Sequence, residues 1–432
     1  MDNEHELRRT VVGEMHLRRW PLLEAPSLVI QLVRVLDAGD REAERLALEE
    51  LPRGAWIDCA DNPRHVKGLF SPGVAFTLER HSEASTTTLF VRDGTLEALF
   101  APAPGSDLEK AVAWANSLPG KLIRATRLLL VEDEGKAGAL LPQIGIADDE
   151  LVSCRIGTGE ALDASARIWS DFRLREQGFG ILIVAANGML PADLTRTVQR
   201  LQELGNYRNL ALLGLPVARE GWKRLDHIEA MLGKMNGAIA RPEVTDDSLL
   251  EEVTSLYMDL ITHSAECDYR MSATEAYATI VEERLVDLNI RPCPGHLSLT
   301  DFTQRRFFPA VRTCAAHRRR AEQLAQRTAQ FVSLFRTRIE TRIENQNGRL
   351  LASMERNATR QLRLQQLVEG LSVVAVSYYA LGLLAKLLEG VESVVPGLHA
   401  HFLTALMVPF VLAAVWLGIH HMKRRILEPM AR

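Results

Sequence analysis

The spacing of hydrophobic and polar positions changes along the chain, and each change predicts a different kind of element. Over the first 190 residues, short β-rich runs are bounded by Gly, Pro, Asp and Ser, a pattern that predicts strands. These runs are GVAFTLE, STTTLFVRD, TRLLLVED, LVSCRIG, SARIWSDF and GILIVAA. The neighbouring stretches APSLVIQLVRVLDA and DLEKAVAWANSL have patterns that predict helices. Together they predict an α/β or α+β domain with one main sheet over residues 1–190.

From Leu194 onward the periodicity becomes almost entirely helical, which predicts a helical domain over residues 191–311. The next segment, 312–368, has no proline and one glycine, Gly348. Its apolar positions recur mostly at three- and four-residue steps, at Val332, Phe335, Ile339, Ile343, Leu350, Met354, Ala358 and Leu362. This spacing predicts a stalk helix that would extend about 85 Å if unbroken. So long a helix with one apolar stripe needs a partner, either a neighbouring helix of the same chain or another copy of the protein.

The end of the chain contains two apolar runs of about eighteen residues each, Leu371–Leu388 and Phe402–Ile419, a length near the lower limit for crossing a bilayer. Between them, EGVESVVPGLHAH supplies glycine and proline breakers. Two buried helices of a soluble core are the alternative, but two such runs side by side favour a transmembrane hairpin over residues 369–422. A basic cytoplasmic tail, residues 423–432, follows.

Charge is distributed unevenly around this hairpin. The formal net charge is −4, yet residues 1–311 carry −13 while the stalk carries twelve arginines and four glutamates. Basic residues lie on the outer flanks of the hairpin, at Arg356, Arg360 and Arg363 before it and at Lys423, Arg424 and Arg425 after it. The loop between the runs has no Lys or Arg. The positive-inside rule then places both termini in the cytoplasm, and the lipid bilayer is the expected partner.

The five cysteines are too few for a disulfide framework in 432 residues, and the polar start MDNEHELRRT lacks an apolar signal segment. The bulk of the chain is therefore expected in a reducing cytoplasm.

Several stretches resemble a bacterial family of uncharacterised proteins described as predicted membrane-anchored. They are LERHSEASTTTLF (Leu78–Phe90), RTVQRLQELGNYRNLALLGLPVAR (Arg196–Arg219), YRMSATEAYATIVEERL, RRFFPAVRTC and QNGRLLASMERNATRQLRLQQLVEGLSVVAVSYY. The first stretch departs from the family pattern, with Leu78 where tryptophan is usual and Ala84 where phenylalanine is usual. The resemblance implies an architecture anchored in the bacterial inner membrane and no agreed activity.

The predicted order of elements also resembles CorA-type magnesium channels, which are ring-shaped homo-oligomers whose first span lines the pore. The Gly-Met-Asn signature that closes that span is absent here, where the chain has LLAKLLEG. On the first run, Ser372, Tyr379 and Lys386 share one helix face and are the candidate pore-lining residues. The alternative is that charged residues mark the membrane interfaces and the hydroxyls bond helix to helix.

Two further groups are candidates for chemistry. Arg80, His81 and Glu83 lie at or between strands, where an acid beside a histidine can tune its pKa for acid–base work; the alternative is a solvated or core-satisfied polar group. Two Cys-x-x-His pairs, Cys293 with His296 and Cys314 with His317, have spacing compatible with zinc, but packed or surface residues are the favoured interpretation. No metal ligand and no cofactor is therefore assigned.

The chain has no Walker loop, dinucleotide fingerprint, HExxH or GxSxG motif, and the arginine-rich stalk lacks a base-stacking element for nucleic acid. The favoured hypothesis is a membrane-anchored homo-oligomer, assembled through its stalk and transmembrane helices, with a cytoplasmic scaffold or interaction domain. The alternatives are a CorA-like channel and an enzyme that uses His81 and Glu83.

Overall fold

The computed structural model describes residues 4–8, 11–12, 19–49, 51, 55–58, 64–92, 95–145, 151–157, 165–239, 245–392 and 400–427. Within these ranges the strands are β1 (Ser27–Val35), β2 (Trp56–Asp58), β3 (His65–Ser71), β4 (Val74–Arg80), β5 (Ala84–Arg92), β6 (Lys121–Val131), β7 (Val152–Ile156), β8 (Ala166–Ser170), β9 (Gly180–Ala185) and β10 (Arg291–Pro292). The helices are α1 (Asp40–Glu49), α2 (Leu96–Phe100), α3 (Asp107–Ser117), α4 (Glu134–Ile144), α5 (Pro191–Leu212), α6 (Gly214–Ala238), α7 (Asp246–Asp287), α8 (Leu299–Arg306), α9 (Phe308–Glu392) and α10 (Ala400–Leu427).

The described strands form one sheet in the order β10-β7-β8-β9-β6-β1-β5-β4-β3-β2. Neighbouring strands are antiparallel, except that β6 and β9 run parallel. Strand β1 lies in the middle of the sheet, hydrogen-bonded to β5 on one side and to β6 on the other.

The prediction of a helix for APSLVIQLVRVLDA is wrong, because this stretch contains β1. Eight of its nine residues are buried, so both faces of the strand are covered by protein. A strand buried on both faces loses the alternation of apolar and polar residues that identifies a half-exposed strand. Its continuous apolar run is therefore compatible with either a helix or a strand. Hydrogen bonding to two neighbouring strands stabilises this segment as a strand.

Both faces of the sheet are covered by apolar side chains. Leu28, Ile30 and Leu32 of β1 belong to one core cluster, together with residues of α1 to α4. Val29, which points the opposite way along the strand, belongs to a second cluster with residues of α5, α7 and α8. The sheet is thus the middle layer of the fold, and the long helices α5 and α7 cover one side of it.

A buried polar network lies between the sheet and α5. The Arg124 guanidinium of β6 donates to the side-chain oxygens of Gln31 at 2.9 Å, Asn206 at 2.7 Å and Gln202 at 2.7 Å. A Cβ at Gly205 would lie 2.6 Å from Arg124 Nη2, so glycine leaves the space that this guanidinium occupies. The network joins the central strands to the first long helix.

The chain divides into two compact units, Met1–Val332 and Ser333–Arg432. The first contains the sheet, the helices from α1 to α8 and the N-terminal part of α9, and the second contains the rest of α9 and all of α10. The fold class is confirmed: a sheet-containing N-terminal domain is followed by long helices and a C-terminal helix. The boundaries predicted at residues 190, 311, 368 and 422 stay predictions.

Two helices near the C-terminus are long and apolar enough to be candidate membrane spans. One candidate helix ends at Val391 and the other covers Ala400–Met422. Their large apolar side chains are exposed, including Leu371, Tyr378 and Phe410. This arrangement fits a membrane-anchored protein. Residues 393–399 of the predicted loop and 428–432 of the predicted tail lie outside the described residues.

Candidate functional site

A cluster of two histidines and one cysteine lies buried among the long helices of the first unit. His263 and Cys267 are four residues apart on α7, so they lie one turn apart on the same face of that helix. His317 reaches them from α9. The exposed fractions of His263, Cys267 and His317 are 4%, 7% and 1%. Three groups that bind protons or metals are thus held out of bulk water.

The potential ligand atoms of the cluster are close together. His263 Nε2 and His317 Nε2 are 3.1 Å apart. Cys267 Sγ lies 3.7 Å from His263 Nδ1 and 3.8 Å from His263 Nε2. One ligand atom from each residue lies within 4.8 Å of the other two. The rings meet nearly edge to face, with their centroids 5.3 Å apart.

A glycine on the neighbouring helix makes this approach possible. A Cβ at Gly221 of α6 would lie 2.2 Å from His317 Nε2 and 2.9 Å from His263 Nε2. Real Cβ atoms do not come so close, so any larger residue would displace one imidazole or the other. Trp222 lies beyond, with its ring 6.2 Å from the His317 ring. Helices α6, α7 and α9 therefore all shape the cluster.

The electrostatic setting keeps both rings neutral near neutral pH. Burial lowers the pKa of the His263 imidazole, and Arg224 lowers it further. Burial likewise lowers the pKa of His317, with further lowering by His263 and Arg320. Burial raises the pKa of the Cys267 thiol. Neutral imidazoles have the protonation state that metal binding requires, and the thiol would release its proton to a metal.

A cavity of about 250 Å³ adjoins the cluster between α7 and α9. Cys267 and His317 form part of its wall. Met271, Asp268 and Glu322 also line it, so a thioether and two carboxylates lie beside the thiol and the imidazole. A cluster with one side against a cavity has room for a further ligand or for a small molecule.

The two predicted Cys-x-x-His pairs have different surroundings in the structure. Cys293 is buried next to β10. Its neighbour Cys154 on β7 is buried too, and burial raises the pKa of the Cys154 thiol to about 12. Cys314 packs with Ala218 and Met271 in an apolar cluster. Of the four residues in the two pairs, His317 alone joins a His, Cys, Asp or Glu group close enough to share one ion within the described parts of the chain. The combination of His317 with His263 and Cys267 was not predicted, although the sequence HSAEC shows a His and a Cys at a helical spacing.

The predicted group Arg80, His81 and Glu83 lies where β4 turns into β5. Arg80 Nε donates to Glu44 Oε2 at 2.6 Å. Both oxygens of the buried Glu83 carboxylate accept from Arg270 of α7, at 2.9 and 2.6 Å. The His81 backbone N–H donates to the carbonyl of Ala84. Glu83 is thus engaged in an ion pair between the sheet and α7, and catalysis by His81 and Glu83 stays a prediction.

The predicted stripe on the first candidate span lies on α9. Ser372 Oγ donates to the Val368 carbonyl of its own helix at 2.8 Å. Tyr379 is 72% exposed and its ring lies 5.9 Å from the ring of Tyr378. Lys386 is exposed as well. In a single chain these side chains have no pore to line, so their role as pore-lining residues stays a prediction.

Comparison with known protein families gives one match that covers most of the chain. Residues 3–426 match the family described as "Protein of unknown function (DUF3422)". The chain belongs to this family. The DUF3422 match spans nearly the whole length, so it covers the sheet, the histidine–cysteine cluster and both candidate spans. No curated protein and no solved structure gives a match. The resemblance to CorA-type channels is not confirmed.

Proposed function

We propose that this protein is a bacterial inner-membrane protein, held by a two-helix hairpin and carrying a large cytoplasmic domain that serves as a scaffold or interaction module. The observation that supports this proposal most strongly is the pair of consecutive apolar helices near the C-terminus, α9 and α10. Phe402, Phe410 and Leu371 on these helices are each more than 60% exposed. Contiguous exposed apolar surface of this size is typical of contact with lipid or with another protein.

The distribution of charge supports an orientation for the hairpin. Arginines precede the first span at Arg356, Arg360 and Arg363, and Lys423–Arg425 follow the second. Residues 389–401, between the two spans, have no Lys or Arg. Because positively charged segments stay on the cytoplasmic side, both termini are cytoplasmic in this proposal and the connecting loop is outside.

A second part of the proposal concerns assembly, and it is supported by the exposed stripe of the stalk. Ile343, Leu350, Met354 and Leu362 are 49%, 62%, 60% and 61% exposed. They recur on α9 at steps of seven, four and eight residues, close to the repeats by which helices pair along one face. The stripe leads directly into the first span, so the same face of a second copy is the partner that fits both segments. The protein is therefore a homo-oligomer in this proposal.

The membrane anchor can be tested with the full chain in a bacterial host. The wild-type chain is expected in the membrane fraction after alkaline carbonate washing. A variant with Val376→Arg and Leu412→Arg places one arginine in each apolar helix, at a cost of about 2.5–3.5 kcal/mol each for insertion at a helix centre. This variant is expected to leave the membrane fraction or to be degraded.

The matched control makes the same kind of change on exposed apolar residues of the first unit, Leu46→Arg with Val286→Arg. It is expected to remain with the membrane as the wild type does. Release of the wild-type chain by carbonate would refute the anchor.

A further inference from the structure

We propose that His263, Cys267 and His317 form a binding site for a transition-metal ion that prefers imidazole and thiolate ligands, as zinc and copper ions do. The three side chains come from two helices, and the two histidines are 54 residues apart in the sequence. All three are buried. A buried thiol is common, but two buried imidazoles in contact need a hydrogen-bond partner or a bound ion to satisfy their ring nitrogens. The donor set, two nitrogens and one sulfur, excludes Mg²⁺ and Ca²⁺, which take oxygen ligands.

Two of the separations between ligand atoms are close to those around a single tetrahedral ion, and the third pair, Cys267 with His317, lies within 4.8 Å. Cys267 Sγ is also 3.7 Å from His263 Nδ1, so binding through Nε2 requires the thiolate to turn away from Nδ1. With Zn–N bonds of about 2.0–2.1 Å and a Zn–S bond of about 2.3 Å at tetrahedral angles, two nitrogens lie about 3.3 Å apart and nitrogen lies about 3.6 Å from sulfur. The two Nε2 atoms here are 3.1 Å apart, and Cys267 Sγ is 3.8 Å from His263 Nε2. Each of these two separations is within a few tenths of an ångström of the tetrahedral value.

The surroundings supply both rigidity and access. Gly221 leaves the space in which both imidazoles sit, so the backbone of α6 limits their movement. Cys267 and His317 line one side of the cavity of about 250 Å³, which is the side from which an ion would approach them. Asp268 and Glu322 line this path, although Arg318 lines it as well and pairs with Glu322. Three protein ligands beside a cavity leave the fourth position to water or a small ligand, as in catalytic zinc sites.

Whether the Met271 thioether also binds the ion distinguishes a copper site from a zinc site. Met271 lies one helical turn beyond Cys267 and lines the same cavity. Two histidines and one cysteine with a thioether form the donor set of copper electron-transfer sites, whereas the same three ligands with water form a zinc set. Both ions therefore belong in the test, and either result supports a site built from these three residues.

The experiment uses the full chain in detergent, stripped with a chelator and titrated with Co²⁺ as a spectroscopic probe. One equivalent is expected to give a thiolate-to-cobalt charge-transfer band, which Zn²⁺ displaces and excess Mg²⁺ does not. A parallel titration with Cu⁺ against a chromophoric chelator measures the affinity for copper. Cys267→Ser and His317→Ala are each expected to weaken binding by at least about tenfold, since each removes a direct ligand.

Two matched controls separate ligation from packing. Cys314→Ser removes a buried thiol from the same apolar cluster but outside the three-residue group, and it is expected to keep the band. Gly221→Ala is expected to weaken binding because its Cβ enters the ring space, whereas Gly237→Ala on the same helix, with nothing within 4 Å, is expected to leave it unchanged.

The proposal is overturned if the wild-type chain binds neither zinc, cobalt nor copper at one equivalent. It is also overturned if the band survives Cys267→Ser and disappears on Cys314→Ser or Cys293→Ser, because the thiolate would then come from elsewhere. If Cys267→Ser fails to fold, which circular dichroism would reveal, the ligands are assigned by the loss of the band in His317→Ala and its survival in Cys314→Ser and Cys293→Ser.

Discussion

Among single residues, the ion pair between Glu83 and Arg270 at the β4–β5 turn shows how polar chemistry holds the fold together. Glu83 follows the turn after β4, and its carboxylate is 7% exposed. Its two oxygens accept from both terminal nitrogens of Arg270, a bidentate geometry that fixes the orientation of the guanidinium. The pair ties the β4–β5 turn to α7, the helix that also carries His263 and Cys267. Its loss should therefore affect the sheet and the long helices together.

Removing one partner of this pair leaves the other charge partly buried. We expect Arg270→Ala to lower the free energy of unfolding by about 3 kcal/mol, a value at the lower end for buried pairs because Arg270 retains some exposure. The urea midpoint of the full chain in detergent measures this change. Lys223→Ala, which removes an exposed pair with Glu220, is the control and should change the free energy by less than about 1 kcal/mol. Equal effects of the two substitutions would contradict the structural role of the Glu83 pair.

The histidine–cysteine cluster shows what residue patterns can and cannot predict. His317 was recognisable as part of a Cys-x-x-His spacing, but its true neighbours come from another helix. His263 and Cys267 carry a local signal, since they are four residues apart, yet nothing in the sequence shows that α7 and α9 bring them to His317. Contacts between distant helices depend on packing, which periodicity does not encode. For the same reason Cys293 and Cys314, spaced like ligands of one zinc ion, do not form such a group.

At the scale of elements, the helices were easier to predict than the central strand. The helical periodicity that begins at Leu194 agrees with the long helices α5, α6 and α7, and the segment predicted as the stalk, residues 312–368, lies within α9. Strand β1 was predicted as a helix because its residues are buried on both faces. The errors thus occur where a segment has no exposed face to reveal its period.

Glycines in the long helices give a prediction at this scale. Gly205 of α5 faces Arg124, whose guanidinium is held by three side-chain oxygens and cannot move without breaking those hydrogen bonds. Gly205→Ala should therefore destabilise the protein, despite the higher helix propensity of alanine. Gly233→Ala on α6, with nothing within 4 Å, should instead stabilise it by about 1 kcal/mol.

Thermal unfolding of the two alanine variants, followed by circular dichroism, gives the sign of each effect. A lower midpoint for Gly205→Ala and a higher midpoint for Gly233→Ala are expected. Stabilisation by both substitutions would show that the Arg124 network yields readily and contributes little to the packing of α5 on the sheet.

For the whole molecule, the proposed homo-oligomer depends on the exposed stripe of the stalk. If a second copy covers Leu350 and Met354, then charges at these positions should separate the copies. Leu350→Glu with Met354→Glu is expected to reduce the oligomer to monomers, because like charges would face each other across the former apolar seam. Light scattering of the detergent-solubilised chain measures the mass. Asn345→Glu with Ala352→Glu, both exposed and on the opposite face of α9, serves as the control and should leave the mass unchanged.

Thiol labelling tests whether the chain enters the bilayer twice, with both ends in the cytoplasm. Ser393→Cys lies between the two candidate spans in sequence, and Ala431→Cys lies after the second. In intact spheroplasts, a membrane-impermeant maleimide should label the first variant and neither the second variant nor the wild type. If residue 393 is instead cytoplasmic, the Ser393→Cys variant will be labelled only after the membrane is permeabilised, like the other two proteins. That result would contradict the two-pass anchor.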